Sequence, residues 1–255
     1  LLMTGLLALG MIAAAVQAQE PPTKAEIVRI LAEIHTLPGM REQMASAGFE
    51  GENLELAMGQ IERVYGDKLI AGRLAERILA AGRGDFGNAM AAQGLIQPFL
   101  DRGLGHLSAR ELAYYYEVER VVMAAVPTRQ CGLAFKNRIA PEQMAEASAR
   151  VAARLNSPAL KEYYRIQYKA ARLGASKPPK RISDAMRKRV QASLSEALDA
   201  AAETSESGRK AVDVFSNIDT ASNAEACDAG RFFLKVVMGM DPKVRYETLL
   251  VLSGT

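Results

Sequence analysis

SARELAYYYEVERVVMAAVP, residues 108–127, is the stretch that decides the fold. It opens on Ser108 with Glu111 three residues later, a capping box: the serine hydroxyl accepts from the first turn's backbone and the glutamate reaches back to the serine N–H. Leu112, Tyr115, Val118, Val122 and Val126 then follow one another at steps of three or four, with Tyr116 beside them, which is the period of a helix and not of a strand. Pro127 ends the run, since it lacks an N–H and its ring clashes with a continuing helix. So apolar a helix is expected at the centre of a core.

The same signals recur outward from it. Thr23-Lys24-Ala25-Glu26 is another capping box, and Ile27, Ile30, Leu31 and Ile34 share one face of a helix that Leu37-Pro38-Gly39 stops. Leu54, Ala57, Ile61 and Val64 form one stripe and Ile70, Leu74 and Ile78 a second. The phase breaks at Gly66-Asp67, which predicts two helices or one kinked helix, with a loop following at residues 82–87. Pro141 stands at a first-turn position ahead of Met144, Ser148, Val151 and Leu155. Ser157-Pro158 opens the next helix, with Ala159, Tyr163, Ile166, Ala170 and Leu173 on one face and Gly174 as its expected stop, and these two helices are expected to be antiparallel.

Residues 175–181, Ala-Ser-Lys-Pro-Pro-Lys-Arg, read as a linker, so a subdomain boundary is expected at 175–182. A long helix from Ser183 carries Met186, Val190, Leu194, Leu198 and Ala201, and shorter ones are expected over Lys210 to Ile218, Glu225 to Met238 and Pro242 to Leu252. The segment 121–127, VVMAAVP, faintly echoes 236–242, VVMGMDP, too briefly to establish a duplication. No alternating strand pattern competes. The expected fold class is all-α, a compact bundle of roughly eight to ten helices forming one domain over residues 19–255.

Residues 1–18, an apolar run ending Val16-Gln17-Ala18 before polar Gln19-Glu20, read as a cleaved secretory leader. The run lacks the Lys or Arg that normally precedes it, so the leader is read as incomplete at its start. The competing reading, a membrane anchor, needs about 20 apolar residues. Export predicts a periplasmic or extracellular protein, and no transmembrane span is expected in the mature chain. Removal of 18 residues from 255 leaves 237, enough for a sizeable core. Tryptophan is absent and aromatic residues make up 6% of the chain, a composition that favours helix over sheet.

The two cysteines, Cys131 and Cys227, are expected to pair in an oxidising compartment. The bridge closes a loop of roughly 100 residues, which in the chain-entropy model stabilises by about 4.7 kcal/mol. The net charge of +3 hides an asymmetry. Residues 19–127 hold 11 basic and 15 acidic side chains, residues 128–190 hold 15 and 4, and residues 191–255 hold 6 and 10. A basic block of net +11 between two acidic ones reads either as a site for an anionic partner or as internal pairing with its flanks. The long helix from Ser183 carries Arg187, Lys188 and Arg189 early and Glu196, Asp199, Glu203 and Glu206 late, opposing its macrodipole. A neighbouring helix of opposite polarity, or a bound anion, accounts for that order.

No catalytic residue, metal ligand or cofactor is predicted. The only histidines, His35 and His106, sit in no His-Glu-x-x-His motif, the cysteines form no Cys-x-x-Cys, and there is no Gly-x-Ser-x-Gly elbow or phosphate-binding glycine loop. Gly94-Leu95-Ile96-Gln97-Pro98 has the Gly-Leu-x-Gln letters of lysozyme-like lytic transglycosylases. Those place a Glu-Ser pair upstream, whereas the only pair here is Glu206-Ser207 downstream, so the match reads as chance. Arg83-Gly84-Asp85 matches an integrin-recognised tripeptide by the same kind of accident.

The functional candidate is the basic block. On the helix from Pro158, burying Tyr163 and Ile166 leaves Lys161, Tyr164, Arg165, Tyr168, Lys169 and Arg172 on other faces, and Lys177, Lys180, Arg181, Arg187, Lys188 and Arg189 extend the patch. Cations interleaved with tyrosines suit anionic glycans. The ligand-binding set expected is Lys161, Tyr164, Arg165, Tyr168, Lys177, Lys180, Arg181, Arg187 and Lys188. Export makes the expected partner an anionic cell-envelope polymer or protein, with no nucleic acid. The expected role is non-enzymatic binding or assembly. The alternative is a carboxylate-dependent cell-wall enzyme, since glycan cleavage needs only two acids placed across a bond.

Overall fold

A computed structural model describes residues 22–80 and 95–254, the side chains of residues 141 and 142 excepted. The expected leader at residues 1–18, the glycine loop at 82–87 and the Arg83-Gly84-Asp85 tripeptide lie outside them. The described residues are all-α: thirteen α-helices, one 3-10 turn at Ile34–Thr36, and no strand.

Thirteen exceeds the eight to ten helices expected, and three account for the excess. These are α2 (Met40–Ser46), α5 (Gln97–Leu104) and α7 (Thr128–Phe135), each of seven or eight residues. Two turns are too few to display a period, and helices so short are held by packing rather than propensity.

The chain divides into two compact units, residues to Gly103 with Ala152–Pro178, and Leu104–Val151 with Pro179 onward. In the first, α1 (Lys24–Glu33), α2, α3 (Gly51–Tyr65), α4 (Lys68–Ala80), α5 and α9 (Ser157–Ser176) enclose a core of Ile27, Leu31, Ile61, Ile70, Leu74, Ile78, Leu100, Leu160 and Ile166. The Thr23 capping box forms as read, with Thr23 Oγ1 accepting from Glu26 N–H. Gly39 takes φ +84° ahead of α2, a left-handed backbone that glycine adopts without strain. The phase break at Gly66-Asp67 is a true corner between α3 and α4.

Gly174 does not stop α9, which runs on to Ser176 and ends at extended Lys177 before Pro178. Its missing Cβ serves packing instead. A Cβ on Gly174 would lie 1.9 Å from Phe99 O, and one on Gly103 would lie 1.8 Å from Ala170 O. Helices α5 and α9 therefore cross backbone to backbone.

The second unit holds α6 (Ala109–Ala125), α7, α8 (Pro141–Ala152, save its last residue), α10 (Asp184–Glu203), α11 (Glu206–Ser216), α12 (Asn223–Gly239) and α13 (Pro242–Leu252). The Ser108 capping box forms as read. The hub, however, is α12, which packs on α6, α7, α10, α11 and α13, whereas α6 packs on α12 and α13. Cys131 of α7 and Cys227 of α12 are fully buried at disulfide distance, Cα atoms 5.1 Å apart. Glycines flank them: a Cβ on Gly132 would lie 2.0 Å from Asn223 O, and one on Gly230 would lie 2.1 Å from the Phe135 ring.

The faint echo marks two like corners. Val126 and Met240 each hold an extended backbone between two helices. At one corner Arg231 donates to Met123 O and Val126 O, both at 2.9 Å; at the other Arg245 donates to Met238 O at 2.8 Å. The cations satisfy carbonyls that a helix end leaves unpaired.

The stripe expected on α10 is only partly buried. Val190 is covered, while Met186, Leu194, Leu198 and Ala201 stay half-buried, and the neighbouring Ala202 is covered instead. Within its reversed charge order, Arg189 reaches Glu247 of α13 at 3.2 Å.

Candidate functional site

A cleft of about 480 Å³ opens in the first unit. On α4, burial of Ile70, Leu74 and Ile78 turns Arg73 and Arg77, one helical turn apart, to the exposed side with Glu76. The backbone crossing at Gly103 and Gly174 presents Phe99 and Arg102 of α5 to the same space, and the end of α9 adds Lys177. Phe99 is 3% exposed and forms the floor. The guanidinium carbons of Arg77 and Arg102 sit 5.8 and 5.9 Å from its ring centre, within cation–π range. Arg102 also donates to Gly174 O at 3.3 Å, near the carbonyl end of α9.

Among the described residues Glu76 is the one carboxylate in this lining. Lys24 meets it at 2.7 Å and Arg73 at 2.9 Å, and their hydrogen bonds, Lys24 first, hold its carboxyl below the usual range. Among the described residues, Arg77, Arg102 and Lys177 meet no carboxylate. The cleft thus has a surplus of cations whose own acid is already neutralised.

The nine residues read from sequence divide between the units. Lys161, Tyr164, Arg165, Tyr168 and Lys177 belong to the first; Lys180, Arg181, Arg187 and Lys188 belong to the second. Only Lys177 lines the cleft. Lys161, Arg181, Arg187 and Lys188 are exposed. Tyr164 is half-buried and stacks on Tyr163, ring centres 6.3 Å apart, and burial pushes its phenol well above the usual range. Arg165 pairs with Glu162 at 2.7 Å. Lys180 sits over the Tyr246 ring, 5.7 Å from its centre. Other cations of the basic block pair locally or with the acidic flanks: Arg150 with Glu146, Arg138 with Asp219 at 3.3 Å, and Arg189 with Glu247.

Tyr168 has a structural task. Its hydroxyl donates to Asp67 Oδ2 at 2.7 Å, Arg172 approaches that oxygen at 3.2 Å, and Arg63 lies over the ring at 5.8 Å. Asp67 Oδ1 meanwhile caps α4 by accepting from Leu69 and Ile70 N–H at 2.9 and 3.1 Å. Burial acts to raise the Asp67 pKa, but the Tyr168, Ile70 and Leu69 hydrogen bonds and the Arg172 charge together lower it. A carboxyl whose folded pKa is depressed contributes stability above its unfolded pKa, about 4, and loses it as pH falls through the folded value. Asp67→Ala is expected to cost about 1–2 kcal/mol at neutral pH. In urea unfolding followed by circular dichroism, the gap between wild type and variant should close below about pH 4; a constant gap across that range would contradict the assignment.

The sequence reading missed Arg73, Arg77, Phe99 and Arg102, because they lie in a segment whose net charge is negative. The available signal was the Arg73/Arg77 pair one turn apart and off the apolar stripe. A second recess, about 420 Å³, lies between Ala197 and Ala201 of α10 and Phe232, Val236 and Gly239 of α12, with Lys235 as its cation. Among the described residues no cluster of His, Cys, Asp or Glu is placed to hold a metal ion, and no helix is long and apolar enough to cross a membrane. No protein-family model, curated protein or solved structure matches this chain, so the functional reading rests on the site's own geometry.

Proposed function

We propose that this is an exported, non-enzymatic helical binding protein that holds an anionic partner of the cell envelope, acting in the periplasm or outside the cell. The observation that supports it is the cleft lined by Arg77, Arg102 and Lys177, which meet no carboxylate among the described residues, while the Glu76 beside them is already paired with Lys24 and Arg73. Like charges gathered without acids repel one another, and an anion relieves that repulsion. The exposed cations Lys161, Arg181, Arg187 and Lys188 add to the attraction at longer range, where it is sensitive to salt.

Binding of purified envelope polyanion to the full chain should weaken as salt rises. It should fall about tenfold or more when Arg77 and Lys177 are reversed to Glu, the loss expected for charge-assisted contacts. Reversal of Lys180, Arg181, Arg187 and Lys188 reads the share carried by the second unit. Binding unchanged in both variants would overturn the proposal. So would a cleared zone in a peptidoglycan zymogram that a single Asp or Glu substitution abolishes, which is the signature of the glycan-cleaving alternative.

A further inference from the structure

We infer that the cleft of the first unit receives one terminal phosphoryl group, the dianion of a phosphate monoester; this deepens the function proposed above and rests on it. The cations come from three elements, Arg77 from α4, Arg102 from α5 and Lys177 from the end of α9. Convergence on one space suits a compact group. A polyanion enters such a space by one end or one substituent, whereas following its backbone along its length needs charges that track along a groove. A phosphate monoester carries about −1.5 to −2 charges near neutral pH and offers three acceptor oxygens, one for each of the three cations that meet no carboxylate among the described residues. A carboxylate offers two oxygens and one charge.

Two of the three cations are guanidiniums, whose planar forks engage phosphoryl oxygens in pairs. Phe99 holds both in place, and Arg102 is further tied to Gly174 O. Phe99 is almost wholly buried, so no ring of the ligand stacks on it and recognition is ionic. Among the described residues the exposed rim residues Ala80 and Pro178 have short, uncharged side chains that suit a group entering end first. What the phosphate is attached to, a glycerol, a sugar or a lipid, is left to the region beyond the rim.

Titration calorimetry of the full chain with glycerol 3-phosphate tests this. Affinity should rise several-fold between pH 5 and pH 7.5, because the second phosphate proton leaves near pH 6. Among the described residues the charged groups facing the site are Arg73, Glu76, Arg77, Arg102, Lys177 and, through Glu76, Lys24; none of these is a histidine, so the ligand's own proton sets this slope. Glycerate, a carboxylate of similar size, should bind about tenfold more weakly with a flat profile. Arg77→Ala and Lys177→Ala should each weaken glycerol 3-phosphate about tenfold, with Arg77→Lys in between, since it keeps the charge and loses the fork. Vesicles containing phosphatidic acid should bind and those containing phosphatidylglycerol, a diester, should not; whether vesicles or the soluble ester bind more tightly identifies the source of the monoester.

Equal affinity for glycerate, a flat pH profile with the phosphate ester, or no effect of Arg77→Ala would overturn the inference. If glycerol 3-phosphate and phosphatidic acid vesicles both fail while the envelope polyanion still binds in a salt-sensitive way, the inference falls and the proposed function stands. If the polyanion also fails, both fall.

Discussion

Removing the Cys131–Cys227 bridge, by Cys131→Ala with Cys227→Ala or by reduction, is expected to lower stability by about 2–4 kcal/mol. Both cysteines lie in the second unit, 96 residues apart, and the loop they close carries α9, which belongs to the first unit. In the unfolded chain that loop is long, so the crosslink removes much conformational freedom. The bridge also ties α7 to α12, the helix on which most of the second unit packs. Urea unfolding of oxidised protein and the double variant should show the midpoint falling and the slope rising, because the denatured chain without its crosslink is less compact and exposes more surface. An unchanged midpoint would mean that the bridge adds nothing to the folded state. Intact mass of the purified protein reads the loss of two hydrogens that the bridge requires.

Gly174→Ala is expected to destabilise by about 1–3 kcal/mol or more, because overpacking here has no flexible side chain to absorb it. The added Cβ would fall 1.9 Å from Phe99 O and 2.9 Å from Gly103 N, both backbone atoms. Relief requires α5 to move away from α9, and that displaces Phe99 and Arg102 together. Anion binding should therefore fall with stability in Gly174→Ala. Gly59 and Gly72 are the contrast: both lie within helices and a Cβ at either meets nothing within 4 Å. Gly59→Ala and Gly72→Ala should raise stability by about 0.5–1 kcal/mol, the helix preference of alanine over glycine. Thermal melts of the three variants check the sign at each position, and a stabilising Gly174→Ala would refute the backbone crossing.

Much of the local structure was legible because local chemistry specifies it. The capping boxes at Thr23 and Ser108 form as read, the stripe Ile70, Leu74 and Ile78 is buried, and Pro127 and Pro242 mark helix boundaries. Where reading failed, the deciding partner lay far away in sequence. Gly174 has the look of a stop, yet it is a packing position set by Phe99, 75 residues earlier. Gln167 belongs to no stripe read from the sequence and is 1% exposed, because α9 buries a face wider than its apolar stripe.

The candidate site shows the same division. Counting charge along the chain drew attention to residues 128–190, where several cations prove to be engaged by neighbouring acids or rings. The cleft draws Arg73, Arg77 and Arg102 from a segment of net negative charge and takes only Lys177 from the basic block. A sum over a segment records how many charges there are, not which helix face each one leaves on.

By itself the sequence determined the fold class, most helix boundaries and the pair of cysteines available to bond, since periodicity, capping and composition act within a few residues. The tertiary structure decided which helix is the hub, which glycines bring backbones together and which cations share a cleft. Those depend on crossings between distant helices, α5 with α9 and α7 with α12, that no local pattern encodes.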